Sequence, residues 1–437
     1  MTKASQMHMV HMFFHAPITH TALSWASEED GHLAGMGSFA YWQDIARTLE
    51  RGRFDAAFFA DTPSASDQYK GGPETPLQYG VVWPTHDPFP LAAVMTAATT
   101  HLGVGLTLSV TGNPPYLAHR RLTTMDYLSG GRIGWNVVTG HMQAEHKAVG
   151  QGLVAHDERY DMADEFMDIC YGLWDAYEEG ALPMDKATGM LADPAKVRRV
   201  SYQGKYFRCE AVPATLPSPQ GRPVIFQAGS SGRGMEFAVK HAEAIFAIQP
   251  HLGAMRRFRE SFDKVARDAG RDPIGILFGL QYVLGSTEAE ARRRLSDLRE
   301  RIPLDAGLSR LSAPLGVDCS TLDPDQPLED VPTQASRGMA AALSQMAGDG
   351  RKITVREAAI QMGLSVGLPQ VVGSPEQVAD QIEHHWRESG GLGFNLSAPT
   401  KPGMITEFVD HVVPILQKRG IVRTEYEGRT LRDNLRG

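Results

Sequence analysis

Cysteine is scarce in this chain of 437 residues: only Cys170, Cys209 and Cys319 occur, far apart and without the close pair spacing of a zinc site. They supply no disulfide framework, and a reducing, cytoplasmic setting is the expectation. No apolar run approaches the roughly 18 residues that a membrane span needs, and Lys3, Gln6, His8 and His11 break up the start of the chain, so no export or anchoring signal is expected. Positive charge is in deficit, with 43 Lys and Arg against 51 Asp and Glu and a formal charge of −8. That balance argues against nucleic acid or a membrane as partner and for a small ligand. A glycine fingerprint of the dinucleotide folds is missing after the first strand-like run, as is the lysine of a triphosphate-binding loop. Internal repeats and low-complexity tracts are missing too.

What is present suits a soluble enzyme with a sizeable core: 42% of residues are hydrophobic and 22% charged. Strand-like runs at 7–13, 56–60, 103–110, 132–138, 223–228, 244–248, 274–284 and 393–397 alternate with helix-like ones. Trp42, Ile45, Ala46 and Leu49 mark one such apolar helix face, and Ala163, Phe166, Met167, Cys170, Trp174 and Tyr177 another. Ser374-Pro375-Glu376-Gln377 reads as a helix start, with a serine cap, proline in the first turn and glutamine closing a capping box. Eight strand–helix units predict a closed α/β barrel, a single (β/α)8 domain over 1–437. Residues 178–223 and 301–373 interrupt the rhythm and are expected to be insertions beside the barrel mouth. The charged, aperiodic tail 420–437 is expected to pack on a neighbour or fray.

Chemistry-bearing residues collect at strand ends. Ser129-Gly130-Gly131 turns the chain into Arg132-Ile133-Gly134-Trp135-Asn136-Val137-Val138, so Asn136, Thr139 and Gly140 fall at or near a carboxyl end, where ligands bind in parallel architectures. A buried unpaired amide costs about 1–3 kcal/mol, so Asn136 requires a partner. Gln227-Ala228-Gly229-Ser230-Ser231-Gly232-Arg233-Gly234 runs from a strand into a helix. Small residues and helix-start amides make it an anion cradle, or else a plain glycine-rich turn. His156 and Tyr160 stand just before the helix expected at 161–177, where a ligand contact competes with a local cap or packing feature. Asp61, Ser109 and Thr111 end two other strands, as ligand contacts or as caps of the next turn. A metal is the tempting reading of His8, His11, His15, His20 and His141. Yet His8 and His11 stand three apart and face opposite sides of a strand, whereas a barrel metallohydrolase typically offers two histidines two apart, so no metal is expected.

These pieces, SGGRIGWNVVT, QAGxSxxG and HxxRY among them, together resemble the bacterial-luciferase-like flavin monooxygenases, and within them the nitrilotriacetate, dibenzothiophene-sulfone and long-chain-alkane monooxygenase group. The likeness runs from Gln6-Met7-His8 through 46–52 and 193–197 to 412–420. It implies a TIM barrel with insertions near its C-terminal mouth. It further implies reduced FMN as cosubstrate from a separate NAD(P)H:flavin reductase, O2, a small organic substrate, and a homodimer or homotetramer. By position, the likeness puts His156, Tyr160, Ala228, Gly229, Ser230 and Ser231 on the flavin phosphate and ribityl chain. It puts Asp61, Ser109, Thr111, Asn136, Thr139 and Gly140 near the ring. Phe13, Phe58 and Phe246 would wall the substrate pocket, with His20 and His141 lining it and able to carry a proton. Two positions depart from the pattern: Gly140 stands where relatives often have serine, and Pro314 where several place a pocket histidine. Phe and Met near the first strands favour organosulfur, apolar or haloaromatic substrates over aminopolycarboxylates. A deazaflavin-dependent hydride-transferring oxidoreductase and a non-catalytic flavin-binding relative are the alternatives.

Overall fold

The computed structural model describes residues 6–18, 20–140, 142–229, 231–331 and 351–436. Eight parallel strands form the centre: β1 (His8–Phe13), β2 (Ala56–Phe59), β3 (Gly103–Ser109), β4 (Ile133–Val138), β7 (Val224–Gln227), β8 (Ala244–Ala247), β9 (Gly275–Leu284) and β11 (Gly393–Ser397). They pair in the order β1-β2-β3-β4-β7-β8-β9-β11, and β11 returns to β1, so the sheet closes on itself. All eight predicted strands occur, with ends within two residues of those read from the sequence. Helices occupy the connections. The helix Phe39–Arg51 buries Trp42, Ile45, Ala46 and Leu49, and the helix Pro375–Ser389 carries the expected Ser374 cap and Gln377 capping box.

Register explains the interior. Phe58 lies opposite Gly105, which lies opposite Gly134, and these positions point inward. A Cβ on Gly105 would come within 2.9 Å of the Phe58 ring, and one on Gly134 would run into Phe226. The missing side chains on β3 and β4 are therefore the space that Phe58, Phe226 and Phe246 fill, with ring centroids 4.1 Å apart for Phe58 and Phe246 and 5.0 Å for Phe226 and Phe246. Phe13, on the other parity of β1, packs outward against Trp42 and Phe59.

Three stretches differ from expectation. Residues 178–223 contain an antiparallel hairpin, β5 (Val200–Gln203) with β6 (Arg208–Ala211), and the stretch 301–373 ends in a ninth strand, β10 (Gln370–Gly373), paired with the far end of β9. The charged C-terminal stretch does not fray. It ends in the helix Leu431–Arg436, whose Leu431 is fully buried beneath the barrel among Val10, Val224 and Phe226. Arg432 pairs with Glu243 at 2.7 Å, and Arg423 with the buried Asp55 at 2.8 Å. A Cβ on Gly103 would lie 2.6 Å from Leu431, so the tail is the plug of the barrel foot.

The histidines disperse accordingly. His8 joins Asp55 at the foot at 3.0 Å, His11 turns outward to the Tyr282 hydroxyl at 3.0 Å, and His15 bonds the Met36 carbonyl at 3.2 Å. They do not crowd the mouth as their sequence clustering suggested. Replacing Leu431 with alanine is expected to cost about 2–5 kcal/mol by opening a cavity that the rigid strands cannot close. Urea unfolding of Leu431→Ala measures it; a loss below about 1 kcal/mol would mean the tail is no plug.

Candidate functional site

At the C-terminal ends of β3 and β4 the chain ties two loops together through short polar side chains. Thr111 donates its hydroxyl to the Thr139 carbonyl at 2.9 Å, and its own amide donates to Ser109 Oγ at 3.1 Å. One layer down, Asn136 Nδ2 donates to Thr107 Oγ1 at 2.9 Å, but Asn136 Oδ1, though buried, has no hydrogen-bond partner. Half of the carboxamide is therefore satisfied by the protein, and the other half presents an acceptor inside the barrel. Gly140 holds φ +66°, a left-handed conformation that glycine adopts without strain. A Cβ there would sit 3.2 Å from His146 Nε2 and 3.4 Å from both Thr111 Oγ1 and Glu145 Oε2.

A second cluster forms after β7. Ser231 caps the helix Gly232–His241, accepting from the Gly234 amide at 3.1 Å, while its Oγ also lies 3.2 Å from His156 Nε2. Gly229 donates its amide to Gln227 Oε1 at 2.7 Å. The Tyr160 hydroxyl is wedged between the two glycines: a Cβ on either Gly229 or Gly234 would come within 2.8 Å of it. Burial raises the Tyr160 phenol above its usual range, opposed by its contact with Ser231, so it stays protonated and offers a proton to an anion. Arg233 sits over the Tyr160 ring at 5.8 Å and is held by Asp161 at 3.0 Å and Asp164 at 2.6 Å. Two sequence elements some 70 residues apart thus meet in one cradle of hydroxyls, imidazole and glycine backbone, the donor set a phosphate takes.

Asp61 follows β2, the strand beside β3. Burial, then the neighbouring Asp87, raises its carboxyl to about 6, with Glu145 adding and the Thr62 amide and Arg121 opposing. His20, on the loop after β1, is buried and bonded at Nδ1 to Ser397 Oγ at the end of β11 at 2.6 Å. Its carbonyl accepts from Arg310 at 2.9 Å. Desolvation, with Arg310, Lys401 and His11 nearby, lowers its pKa well below the ordinary value, so the ring is neutral. The later insertion reaches this edge as well, where the Leu364 carbonyl accepts from Thr21 Oγ1 at 2.8 Å and Gln281 lies beneath. Sequence reasoning missed Ser397 and Arg310. Their only signal was position, one at a strand end and the other on a helix of an insertion.

Of the residues singled out from the sequence, Asp61, Ser109, Thr111, Asn136, Thr139, Gly140, Ala228, Gly229 and Ser231 stand at or just below strand ends on the same face of the barrel, with His156 and Tyr160 beside the last of them. His141 and Ser230 lie outside the described residues. Phe58 and Phe246 point inward below that rim; Phe13 does not. An opening of about 600 Å³ near Trp174, Glu178, Arg222 and Arg432 lies toward the foot, away from every one of these residues. Among the described residues no group of three or more His, Cys, Asp or Glu could hold a metal ion, and no helix is long and apolar enough to cross a membrane.

Comparison with known proteins agrees with this geometry. The family model described as luciferase-like monooxygenase matches residues 9–393. The dibenzothiophene-sulfone monooxygenase of Rhodococcus erythropolis (strain XP) is 40% identical over 450 residues, covering 100% of this chain and 97% of its own length. The dimethyl-sulfide monooxygenase of Hyphomicrobium sulfonivorans is 35% identical over 425 residues, covering 96% and 88%. Among solved structures, a riboflavin lyase with modified FMN and its substrate riboflavin superposes with a TM-score of 0.91 at 34% identity, over 99% of this chain and 96% of that one.

The raised Asp61 carboxyl sets a pH dependence. An unfolded aspartate titrates near 3.8 and the folded one near 6, so the folded state binds the extra proton between those values. Stability therefore falls as pH rises through that window and levels off above it. Asp61→Asn is expected to match the wild type near pH 4 and to exceed it at about pH 7.5 by on the order of 2 kcal/mol. Urea titrations at the two pH values read this directly, and equal stabilities at the higher pH would refute it.

Proposed function

The chain belongs to the luciferase-like monooxygenases, and from that premise we propose that it is a two-component FMN-dependent monooxygenase. It takes reduced FMN from a separate NAD(P)H:flavin reductase and uses O2 to oxygenate a small organic substrate. The observation that carries the reading is the Tyr160 hydroxyl lodged between Gly229 and Gly234 beside Ser231 and His156. That cradle has donors and backbone close enough for a phosphate to approach, and the one carboxylate bonded to it, Asp157, holds His156 by Nδ1, the ring nitrogen away from Ser231. The residues present fit FMN at both ends: the cradle for its phosphate, and Asn136 Oδ1, a buried acceptor without a partner, toward its ring.

Reduced flavin supplies the electrons for oxygen activation. The protein binds and orients it, with Ala228, Gly229, Ser230, Ser231, His156 and Tyr160 at the phosphate and ribityl chain and Asp61, Ser109, Thr111, Asn136, Thr139 and Gly140 along the ring. By the family resemblance His20 and His141 are assigned to the substrate pocket. A neutral His20 anchored to Ser397 can accept a proton or pass one on, but carries no fixed charge into the pocket. The segment around Leu364 and the helix Leu304–Leu315, which bears Arg310, bond to the loop carrying His20, and so help to keep water out. Phe58 and Phe246 floor this space with aromatic surface, and both the sulfone and the sulfide monooxygenases among the relatives act on organosulfur compounds. Organosulfur, apolar or haloaromatic substrates are therefore favoured over aminopolycarboxylates. We propose a homodimer or homotetramer in the cytoplasm.

The decisive experiment supplies NADH, a flavin reductase and FMN, and follows substrate-dependent oxygen incorporation over a panel of sulfones, sulfides, haloaromatics and aminopolycarboxylates. Oxygenated product from an organosulfur compound is expected; peroxide release alone across the panel would defeat the reading. In binding, Tyr160→Phe and Ser231→Ala are each expected to weaken FMN by about 1–3 kcal/mol and to leave riboflavin, which lacks the phosphate, unchanged. Fluorescence titration decides it, and an equal loss for both flavins would move the phosphate elsewhere.

A further inference from the structure

Beyond the Gly140 turn, the short helix Gln143–Ala148 brings His146 back against the ends of β3 and β4. Its ring is 1% exposed, and neither Nδ1 nor Nε2 has a hydrogen-bond partner. Among the described residues it is the one imidazole with both nitrogens buried and unpartnered. His101 and His119 each leave only Nδ1 unpartnered, and other core rings are bonded: His8 to Asp55, His11 to Tyr282, His20 to Ser397 and His32 to Tyr41. An unmade bond at a buried nitrogen costs more than a made one returns, so two on a single ring are a standing loss unless a ligand takes them up.

Their location says which ligand. A side chain at position 140 would start 3.2 Å from His146 Nε2. The ring therefore claims the space that any residue larger than glycine would need there, beside the Thr111–Thr139 bond that ties the two strand ends together. That place adjoins Asn136, Thr139 and Gly140, the positions given to the flavin ring in the reading above, one strand over from the Tyr160 and Ser231 cradle. We infer that His146 is a cofactor-contacting residue that hydrogen-bonds the isoalloxazine of bound flavin, with Gly140 kept free of a side chain to admit the imidazole. The pyrimidine half of the isoalloxazine presents an N–H between two carbonyls, so it can meet one imidazole nitrogen whether that nitrogen donates or accepts. No sequence motif marked this residue. The inference rests on the FMN reading above and adds to it a contact at the end opposite the phosphate.

The test uses oxidised FMN and riboflavin as probes, titrated into the wild type, His146→Leu, His146→Ala and His146→Gln. Leucine nearly conserves the volume and removes both unpartnered nitrogens. The leucine and alanine variants are expected to bind FMN and riboflavin about tenfold more weakly and by the same factor for both, with a shifted visible absorption band of the bound flavin. His146→Gln keeps a donor and an acceptor and should stay within about threefold of the wild type. The flavin-free His146→Leu protein should melt at the wild-type temperature or above. Unchanged affinity and spectrum in the leucine or alanine variant would overturn the inference, as would a lowered melting temperature with binding intact, which marks a packing role. A loss for FMN alone would also overturn it, since that places His146 at the phosphate. Failure of the wild type to bind either flavin would instead bring down the functional reading on which the inference rests.

Discussion

A closed ring of eight parallel strands encloses a fixed volume, and everything at its mouth stands on how that volume is filled. Here the filling is lopsided. Gly103, Gly105 and Gly134 leave β3 and β4 bare on the inside, and Phe58, Phe226 and Leu431 lean into the gap from β2, β7 and the C-terminal helix. Interiors tolerate neither voids nor overlap, so the glycines and the large side chains are one unit, and the foot is sealed by apolar contact. Above that seal the inward positions become polar: Thr107, Asn136, Asn395, Gln281 and Ser397. On β3, β4, β9 and β11 the change occurs within two residues along the strand, which is one step of the pleat. A ligand entering from the top meets side chains that can bond it, resting on a layer that cannot move.

Charge at the mouth follows from the same burial. His11 and His20 are far below the ordinary imidazole range because desolvation disfavours their cations, and Asp61 is raised for the mirror reason. Lys401 is buried without a hydrogen-bond partner and is lowered to about 8, with Asp30 as its opposing charge. Burial thus disfavours the charged form of each of these groups, and leaves the two imidazoles neutral. The proposed phosphate cradle at Ser231, Tyr160 and the neighbouring amides has its arginine already bound to Asp161 and Asp164. Binding by donors rather than by a free cation leaves little net field across an apolar pocket, which suits an uncharged substrate and an oxygen-activating cofactor.

The barrel was legible in the sequence because its strands are buried on both faces, so each reads as an unbroken apolar run flanked by turn residues. The elements missed are those without that property. In β5 and β6 half-buried and exposed residues alternate, and β10 contributes only four residues to an edge. The C-terminal helix was hidden by its charge, since its binding to the core depends on Leu431 and on arginines that pair with Glu243 and Asp55 far away in sequence. Among site residues, those on a strand-to-helix turn with small residues could be placed, because backbone geometry demands those residue types. Phe13 and Phe58 could not be told apart, since which parity faces inward is set by register with a neighbouring strand. Ser397, Arg310 and His146 left no local signature at all.

Unpartnered buried atoms occur at both ends of the barrel: Asn136 Oδ1, Asn395 Oδ1 and both nitrogens of His146 in its upper part and rim, His101 Nδ1 and Asn434 Nδ2 at the foot, where the carboxylate of Asp55 and the side chains of Asp126 and Arg132 are nevertheless bonded. Close-packed rings and bonded charges at the foot provide the stability, while the rim keeps polar groups that the fold itself does not satisfy. Substitutions at the rim then alter what is bound while the barrel persists, because the contacts that close the ring lie one pleat deeper. A glycine at 140 and an imidazole at 146 fit that logic: the two positions share one volume, and exchanging which of them carries the side chain would redraw the ligand's surroundings without disturbing the glycine–phenylalanine packing beneath.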